Sequence, residues 1–354
     1  MRIVFCGLSI TSSWGNGHAT NYRALVRELS RRGHDVLFCE RDVPWYAAQR
    51  DLPEPPWGRT SLYGSLEELA EKHTDDVAVA DLVVVGSYVP EGVAVAEWAL
   101  EIAGGATAFY DIDTPVTLGK LRRGDREYLA PELVGRFDLY LSFTGGPTLQ
   151  VLEEKLGARR AIAFYCLVDP DAYRPLEEEP RWDLGYLGTY SDDRQPVLER
   201  LLLEPAARLP EARFAVAGPQ YPEATVWPGN VERIEHVAPA GHPAFYAAQR
   251  FTLNVTRAEM REAGWSPSVR LFEAAACGVP VVSDRWEGLD QLFVPGEEIL
   301  IAESAEDVVD FLRHVDEDER REIGERARRR VLAEHTAARR CEQLEEEVAG
   351  VMVG

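Results

Sequence analysis

A short segment in the second half of the chain places a serine, an arginine and a glutamate at the spacing of one helix face. In GWSPSVRLFEAAACGVP, Ser266, Arg270 and Glu273 stand at i, i+4 and i+7, on one side of a helix that begins at Pro267 with Ser266 as its N-cap. The first N–H groups of a helix bind phosphate, and an arginine adds two parallel donors. Glu273 is about 10 Å further along the axis, where a carboxylate can hold ribose hydroxyls. The pattern predicts a nucleotide diphosphate site; the alternative is an ordinary amphipathic helix with an exposed Arg270–Glu273 pair.

A glycine-rich loop near the N-terminus presents a histidine. The stretch GNGHAT at 15–20 lies between the first predicted strand and a long predicted helix, and Glu40 ends the next strand. A dinucleotide fingerprint has a third glycine where Thr20 stands, and it starts directly after the strand, which this loop does not. Glycines let a ligand approach the backbone, and the imidazole of His18 is suited to take a proton from an acceptor hydroxyl. We therefore favour a loop that presents His18. Five other histidines are expected in loops or on the surface: His73, His236, His242, His314 and His335.

Two aspartates follow a buried strand in YDIDTPVTL. Asp111 and Asp113 come directly after the predicted strand 106–110, at the carboxyl end where α/β sheets bind ligands. A carboxylate there can act as a base or hold acceptor hydroxyls; the alternative is a capping aspartate ahead of a turn at Pro115. The predicted acceptor-side set consists of His18 and Asp113 as catalytic candidates and of Trp14, Gly15, Asn16, Gly17 and Asp111 as loop residues.

Composition limits the class of protein. A chain of 354 residues is long enough for two domains. The net charge of −22 repels nucleic-acid backbones and anionic lipid headgroups, so neither is expected as a partner. No apolar run of the sequence is long enough to span a bilayer, and the first residues are typical of a strand and not of a signal peptide. The five cysteines are scattered without paired spacing, which favours buried thiols in the cytoplasm over disulfides or zinc ligands.

The hydrophobic pattern predicts an α/β chain in two halves. Short apolar runs without strict alternation are typical of parallel strands that are covered on both faces. We predict them at 2–8, 35–39, 82–86, 106–110, 139–143 and 161–164, and again at 182–187, 213–217, 231–234, 251–255 and 279–283, with helical segments between them. A stretch rich in proline and charge at 167–182 marks the boundary. The pattern predicts two doubly wound Rossmann-like domains, at 1–168 and 169–335, that face each other across a central cleft.

The segment SVRLFEAAACGVPVVSD, followed by EGLDQLFVPGEEILIAES, resembles the donor-binding stretch of GT-B glycosyltransferases of the glycogen-synthase-like class. Other stretches resemble the spore-maturation CgeB-like branch of that class: SWGNGHATNYRALVRELSRRGHDVLFCERDVPWY, YDIDTPVTL, FDLYLSFTGG, GYLGTYSDDRQPVLERLL and AGPQYP. The resemblance implies a two-domain hexosyltransferase of GT-B fold. Its C-terminal domain would bind a nucleotide diphosphate sugar, and its N-terminal domain the acceptor. The last helix, at 336–354, would cross back to the first domain.

The resemblance also assigns donor-side residues. Glu273 matches the ribose-binding glutamate of the class, and GYLGTY with the Arg194 that follows matches a loop with a basic residue against the diphosphate. Arg257 follows a strand that points into the cleft and is a second basic candidate. For each of these arginines, the alternative is an ordinary solvated surface residue. Such enzymes use arginines and a helix dipole in place of a divalent ion, so no metal and no other cofactor is expected. The predicted donor-side set is Gly188, Tyr190, Arg194, Arg257, Ser266, Ser268, Arg270 and Glu273.

One departure from the class leaves part of the function open. The class often carries a first glutamate eight positions before the second, but Trp265 stands there, and the nearest upstream acid is Glu262. The sugar and the stereochemical outcome, retaining or inverting, therefore stay open. Two other functions remain, a nucleotide-sugar epimerase on the same fold and a nucleotide-sugar-binding module without catalysis. UDP is expected as the commonest nucleotide of such donors, and the acceptor as a small molecule, a glycan or a protein.

Overall fold

The computed structural model describes residues 1–14 and 17–353, and the chain divides into two compact units. The first unit consists of Met1–Leu167 and Ala337–Gly354, and the second of Val168–Thr336. Each boundary lies one residue from the position that the sequence pattern predicts. Each unit has its own hydrophobic core on the two faces of its sheet.

Seven parallel strands form the sheet of the first unit. They are β1 (Arg2–Gly7), β2 (Asp35–Arg41), β3 (Arg59–Tyr63), β4 (Leu82–Gly86), β5 (Ala106–Asp111), β6 (Leu139–Ser142) and β7 (Ala161–Ala163). Their order across the sheet is β3-β2-β1-β4-β5-β6-β7, so the order reverses between β1 and β4. The sequence pattern missed β3, because this edge strand is only partly buried and needs no continuous apolar run.

Among the described residues, seven helices accompany this sheet in the first part of the chain. They are α1 (Ala19–Arg31), α2 (Pro44–Ala47), α3 (Leu66–Ala78), α4 (Gly92–Ile102), α5 (Thr114–Arg122), α6 (Pro131–Val134) and α7 (Pro147–Leu156). Pro115, where the capping alternative has a turn, occupies the first turn of α5. Proline is tolerated there since the first N–H groups of a helix have no partner within it.

Six parallel strands form the sheet of the second unit. They are β8 (Trp182–Leu187), β9 (Phe214–Ala217), β10 (Val231–Ile234), β11 (Gln249–Asn254), β12 (Val281–Ser283) and β13 (Leu300–Ile301). Their order is β10-β9-β8-β11-β12-β13, which reverses between β8 and β11. Only β13, which is two residues long, is absent from the sequence prediction.

The helices of the second unit lie between and after these strands. They are α8 (Gln195–Leu198), α9 (Glu204–Arg208), α10 (His242–Ala247), α11 (Ala258–Ala263), α12 (Val269–Ala276), α13 (Leu289–Leu292), α14 (Ala305–His314) and α15 (Glu317–Glu334). A π-helical turn at Glu199–Leu203 joins α8 to α9, where the hydrophobic pattern predicts a single helix over 194–208. Pro205, just after that turn, has no N–H to donate to the preceding helical turn, which accounts for the change in hydrogen-bonding pattern.

The last helix, α16 (Ala337–Val353), belongs to the first unit. Arg32, which follows α1, donates to Glu345 at 2.6 Å, and His34 lies 2.7 Å from the same carboxylate. All five cysteines of the chain are buried and free. No helix among the described residues is both long and apolar enough to cross a bilayer.

Candidate functional site

A buried glutamate fixes the loop between β1 and α1. The carboxylate of Glu40 accepts hydrogen bonds from the N–H groups of Ile10 and Thr11, at 2.7 and 2.9 Å. It also accepts from the hydroxyls of Ser9 and Thr11, at 3.1 and 2.6 Å. These four donors satisfy the carboxylate inside the unit, and no surface of Glu40 is exposed. Glu40 is therefore not available to bind a ribose, as the dinucleotide alternative requires.

The predicted loop residues are only partly covered by the structure. Gly15 and Asn16 lie outside the described residues. Gly17 is exposed, and a Cβ atom added there meets nothing within 4 Å, so packing within the unit does not require a glycine. Trp14 keeps 45% of its surface exposed. Both residues are therefore accessible to a ligand in the loop that follows β1.

His18 and Asp113 come together where β1 and β5 end. His18 is the N-cap of α1 and Asp113 is the N-cap of α5, but neither side chain makes a capping hydrogen bond. Instead, Nε2 of His18 lies 3.5 Å from Oδ2 of Asp113, and their side chains are 22% and 13% exposed. Asp113 therefore has the N-cap position that the capping alternative gave it, but its carboxylate does not make the capping hydrogen bond. Its carboxylate faces an imidazole at a position that solvent and ligands can reach.

Tyr88, which sequence analysis did not identify, contacts the same carboxylate. It follows β4, and its phenol donates to Oδ2 of Asp113 at 3.0 Å. The backbone of Tyr88 has a φ of +63°, which costs a non-glycine residue about 1 kcal/mol or more. Burial and the charge of Asp113 raise the pKa of the Tyr88 phenol far above its usual range, so the phenol remains a hydrogen-bond donor. Three strand ends thus contribute to one group of side chains.

Asp111 lies behind this group and not on its surface. It is fully buried, and its carboxylate accepts hydrogen bonds from Tyr140 at 2.6 Å, from Thr117 at 2.7 Å and from the N–H of Asp113 at 3.3 Å. Burial raises the pKa of Asp111 to about 6. The prediction that Asp111 lines an acceptor loop was therefore wrong in detail, because its side chain supports the turn that carries Asp113.

Asp111 should give the stability of the first unit a measurable pH dependence. Its pKa of about 6 in the folded state exceeds the ordinary value of about 3.9, so the folded state binds the proton more tightly. The unfolding free energy then falls as the pH rises through the range between these values, by about 3 kcal/mol in total. We expect Asp111→Asn, which lacks this titration, to show a flatter profile of unfolding free energy against pH in urea titrations. Parallel profiles for the variant and the wild type would contradict the assignment.

The central helix of the predicted donor site begins later than predicted. α12 starts at Val269, after Ser268 in an extended conformation with φ −82° and ψ 152°. Gly264 and Trp265 both have positive φ, +67° and +42°, so the chain turns sharply before it can enter the helix. The prediction of Ser266 as N-cap was therefore wrong. Ser266 is buried outside the helix and does not share a helix face with the two charged residues.

Trp265 is held within the second unit. Its N–H donates to the carbonyl of Glu287 at 2.7 Å, and its indole N–H donates to Gln291 at 2.8 Å. The indole ring packs so closely on Gly288 that a Cβ added to that glycine would lie 2.4 Å from it. The side chain that stands where the class often has its first glutamate therefore has a structural role.

Arg270 lies where β8 and β11 end, at the reversal of the strand order. Its Nε donates to the carbonyl of Leu187 at 2.6 Å, its Nη1 donates to Oδ1 of Asn254 at 3.0 Å, and its guanidinium lies 4.8 Å from the ring centre of Tyr186. A Cβ added to Gly188 would lie 2.4 Å from the Tyr186 hydroxyl and 3.0 Å from Nη2 of Arg270. A side chain at position 188 would therefore crowd the Tyr186 phenol and the guanidinium at this edge, where open α/β sheets bind ligands.

A buried polar cluster supports this arginine. Asn254 is fully buried, and it accepts a hydrogen bond from Ser268 at 2.7 Å in addition to the one from Arg270. Its amide donates to the hydroxyls of Thr256 and Ser283, at 3.2 and 3.0 Å. Asn254 was not among the predicted site residues. It is a polar residue at the end of an apolar strand, which is the same signal that pointed to Asp113.

The cluster continues to Asp284, directly after β12. Its Oδ1 accepts hydrogen bonds from the N–H and the hydroxyl of Thr256, at 3.1 and 2.8 Å. Oδ2 is buried without a hydrogen-bond partner among the described residues, and the nearest cation is Nη1 of Arg261 at 4.0 Å. Burial raises the pKa of Asp284 to about 6. The sequence VVSD carried the same strand-end signal and was also missed.

Glu273 faces the second unit's interior. Only 5% of its surface is exposed, Oε2 accepts a hydrogen bond from Tyr246 at 3.1 Å, and Nδ1 of His242 is 3.6 Å away. The Tyr173 phenol lies 3.3 Å from the same ring nitrogen. Burial pushes the pKa of Glu273 up, but the neighbouring polar side chains of His242, Tyr173 and Tyr246 outweigh it and leave the pKa below its ordinary value. Hence Glu273 is an ionised carboxylate with a fixed orientation. It lies on the same helix as Arg270, the candidate for diphosphate binding.

The expectation that the remaining histidines lie in loops or on the surface was wrong for three of them. His242 faces Glu273, as described above, and His73 and His335 are both buried. His73 bonds to Asp76 and Ser61. The contacts of His73 with Ser61 and of His242 with Glu273 join separate elements, so the isolated sequence positions give no sign of them.

The other predicted donor-side residues lie in two loops. Nη2 of Arg194 donates to the carbonyl of Thr189 at 2.7 Å, and the Tyr190 hydroxyl donates to Asp192 at 2.6 Å. Arg257 is the N-cap of α11, with 41% of its side chain exposed. The structure therefore brings Gly188, Ser268 and Arg270 into direct proximity. It places Arg257 and Arg194 in the loops after β11 and β8.

Two doubly wound parallel sheets in one chain define the GT-B fold, and solved structures of this kind match the chain nearly from end to end. HepE from Anabaena, solved with UDP and glucose, has a TM-score of 0.71 and 15% identity, and covers 99% of this chain and 100% of its own. Sucrose-phosphate synthase from Thermosynechococcus elongatus has a TM-score of 0.69 and 14% identity over 99% and 100%. An α-glucosyltransferase solved with UDP-glucose and DNA containing an abasic site has a TM-score of 0.71 and 13% identity over 98% of each chain.

In sequence, residues 194–346 match a family model described as glycosyl transferase-like. The match includes Arg194, Arg257, Arg270 and Glu273, and so falls on the predicted donor side. No curated protein matches the chain significantly in sequence.

Proposed function

We propose that this protein is a glycosyltransferase of hexosyltransferase type that uses a UDP sugar. The observation that carries the proposal is the position of Arg270, whose guanidinium is held by Leu187 and Asn254 beside Gly188 at the reversal of the strand order. An oriented guanidinium at a helix start is a bidentate site for phosphate oxygens. The family match over this region and the UDP complexes of structural neighbours support the choice of donor.

The donor-side roles follow from the contacts. In the proposal, Arg270 and the N–H groups at the start of α12, next to Ser268, hold the diphosphate beside Gly188, and Arg257 and Arg194 add positive charge from neighbouring loops. Glu273 accepts hydrogen bonds from ribose hydroxyls, and its lowered pKa keeps it ionised for that purpose. The positive groups stabilise the charge that develops on the leaving diphosphate.

The acceptor-side roles belong to the first unit. In the proposal, His18 takes the proton of the acceptor hydroxyl, and the Asp113 carboxylate stabilises the imidazolium that forms. Tyr88 donates to the same carboxylate and fixes its orientation. The net charge of −22 disfavours DNA as the acceptor, so a small molecule, a glycan or a protein is proposed instead.

Binding of UDP tests the donor side without knowledge of the acceptor. UDP at about one hundred times its dissociation constant raises the unfolding free energy by about 2.7 kcal/mol. We expect this rise in a thermal unfolding experiment with the wild type and its loss in Arg270→Ala. Arg313→Ala, an exposed substitution on α14, is the matched control and should keep the response. A wild type that does not respond to UDP would contradict the proposed donor.

Incubation with UDP-glucose separates the three functions that the sequence leaves open. A transferase releases UDP, with water as the acceptor when no other is supplied. An epimerase converts the sugar, which proton NMR detects. A binding module without catalysis is stabilised by the ligand but leaves it unchanged.

The charge of the arginines should make the reaction independent of metal. Three guanidinium groups in the proposed donor site supply the stabilisation that a divalent ion gives in other transferases. We expect the rate of UDP release to be unchanged by an excess of EDTA. Loss of the rate in EDTA and its recovery with Mg²⁺ or Mn²⁺ would overturn this expectation.

The branch of the family and the cellular compartment are also proposed. We place the chain in the CgeB-like branch because of the stretches quoted above. We propose the cytoplasm as its compartment because its five cysteines are buried free thiols.

A further inference from the structure

Asn254 uses every hydrogen-bonding position of its side chain within the donor-side cluster. Its Oδ1 accepts from Arg270 and Ser268, and its Nδ2 donates to Thr256 and Ser283. An amide group has two donors and two good acceptor positions, so none is left over. A side chain that is fully buried and fully bonded has a single orientation, and it imposes that orientation on its partners.

Of the two groups that Oδ1 accepts from, the Arg270 guanidinium is the candidate for phosphate contact, because the Ser268 hydroxyl donates its single proton to the amide. Ser268 stands at the start of α12, and Arg270 is two residues further on. Without the amide oxygen, only the Leu187 carbonyl would remain of the two acceptors that hold the guanidinium. A long arginine side chain with one tether keeps several rotamers, and it must then lose that freedom when the ligand binds.

The Nδ2 group of Asn254 connects the end of β11 to the end of the neighbouring strand, β12. Thr256 receives one N–H of Asn254 and in turn donates to Asp284. Arg257 follows Thr256 directly, so the same network sets the start of the segment that carries a second basic candidate. The network therefore spans the ends of β11 and β12 and the start of α12.

We propose that Asn254 is a positioning residue of the diphosphate subsite. It orients the Arg270 guanidinium toward the phosphate oxygens and fixes Ser268 at the start of α12, and it does not contact the nucleoside. The inference rests on the proposed function, since it concerns the same donor. It adds a residue that affects binding of the diphosphate part of the sugar donor and not binding of the nucleoside.

The test compares UDP with uridine, because only UDP carries the diphosphate. Affinity for UDP is measured by calorimetry and affinity for uridine by ligand-observed NMR. We expect Asn254→Ala to weaken UDP binding about tenfold or more and to leave uridine binding within a factor of about two. The matched control is Gln249→Ala, a buried amide at the other end of the same strand, which should change neither affinity.

A double-mutant cycle with Arg270→Ala separates positioning from general destabilisation. If Asn254 acts through Arg270, the double variant binds UDP about as weakly as Arg270→Ala alone. Fully additive losses, equal losses for UDP and uridine, or an unchanged UDP affinity would each overturn the inference. A wild type that binds no UDP would instead contradict the proposed function, and the role of Asn254 would fail with it.

Asn254→Asp provides a second variant if Asn254→Ala does not fold. It keeps the volume and the acceptor oxygen, but its charge pairs with the guanidinium and opposes the diphosphate. UDP affinity should fall while uridine affinity is kept. An unchanged UDP affinity, or an equal loss of both, would count against the proposal.

Discussion

Asp113→Asn is expected to lower the rate of UDP release by a factor of about 10²–10⁴ and to leave UDP affinity unchanged. The carboxylate lies 3.5 Å from Nε2 of His18, where its charge stabilises the imidazolium that forms when the acceptor loses its proton. A neutral amide of the same size cannot do so. The measurement is a coupled assay of UDP release from the sugar donor at saturating concentration, together with calorimetry of UDP.

Further variants separate a catalytic pair from a structural one. His18→Gln should cause a similar loss, and the double variant should be no slower than the slower single variant, because the two residues act as one unit. His73→Gln is the matched control: this histidine is buried in the same unit and bonds to Asp76 and Ser61. The pairing is refuted if Asp113→Asn keeps most of the wild-type rate, or if its UDP affinity falls with the rate.

Glu273→Ala is expected to have the largest effect on stability. The change leaves Tyr246 and His242 without the carboxylate that they face inside the second unit, and breaking a buried pair in this way costs about 3–5 kcal/mol. The affinity for UDP should also fall tenfold or more, because the variant loses the hydrogen bonds between the charged carboxylate and the ribose hydroxyls. Urea unfolding and calorimetry measure the two effects. Glu273→Gln keeps the shape and the acceptor for Tyr246, so it should lose less stability.

The pH dependence of this loss has a definite sign. The pKa of Glu273 in the folded state is lower than its ordinary value, so the carboxylate stabilises the fold above the unfolded-state value of about 4.3. That contribution disappears as the pH falls through the folded-state pKa, and the gap between Glu273→Ala and the wild type should narrow in acid. Glu262→Ala, an exposed change on α11, is the control and should match the wild type. A Glu273→Ala protein of wild-type stability and UDP affinity would contradict both roles.

Two aspartates in one short motif show the limit of the sequence evidence. Asp111 and Asp113 both follow a buried strand, and the sequence gives each the same position at its carboxyl end. In the structure, Asp111 is buried among Tyr140 and Thr117 and has a raised pKa, whereas Asp113 is partly exposed and faces His18. The backbone turn between them, with φ −148° and ψ 56° at Asp113, separates the two side chains. No pattern of residue types specifies that turn.

The donor helix shows a second limit. The N-cap preference of serine and the N1 preference of proline both favoured Ser266 and Pro267 as the helix start. Two consecutive residues with positive φ, Gly264 and Trp265, delay the helix, because local preference is weaker than the packing of Trp265 on Gly288. Arg270 nevertheless reaches the predicted edge of the sheet, since its helix follows β11 in a βα unit.

The sequence by itself determined the alternation of strands and helices, the division into two doubly wound units, and the strand ends at which polar side chains collect. These features depend on local periodicity and on the rule that parallel strands share a carboxyl edge. Only the tertiary structure decided which of those side chains meet. His18 contacts Asp113, Arg270 contacts Asn254, and Glu273 faces His242. Each of these contacts joins residues from separate elements, because the packing of strands and helices, and not the distance along the chain, sets which side chains are neighbours.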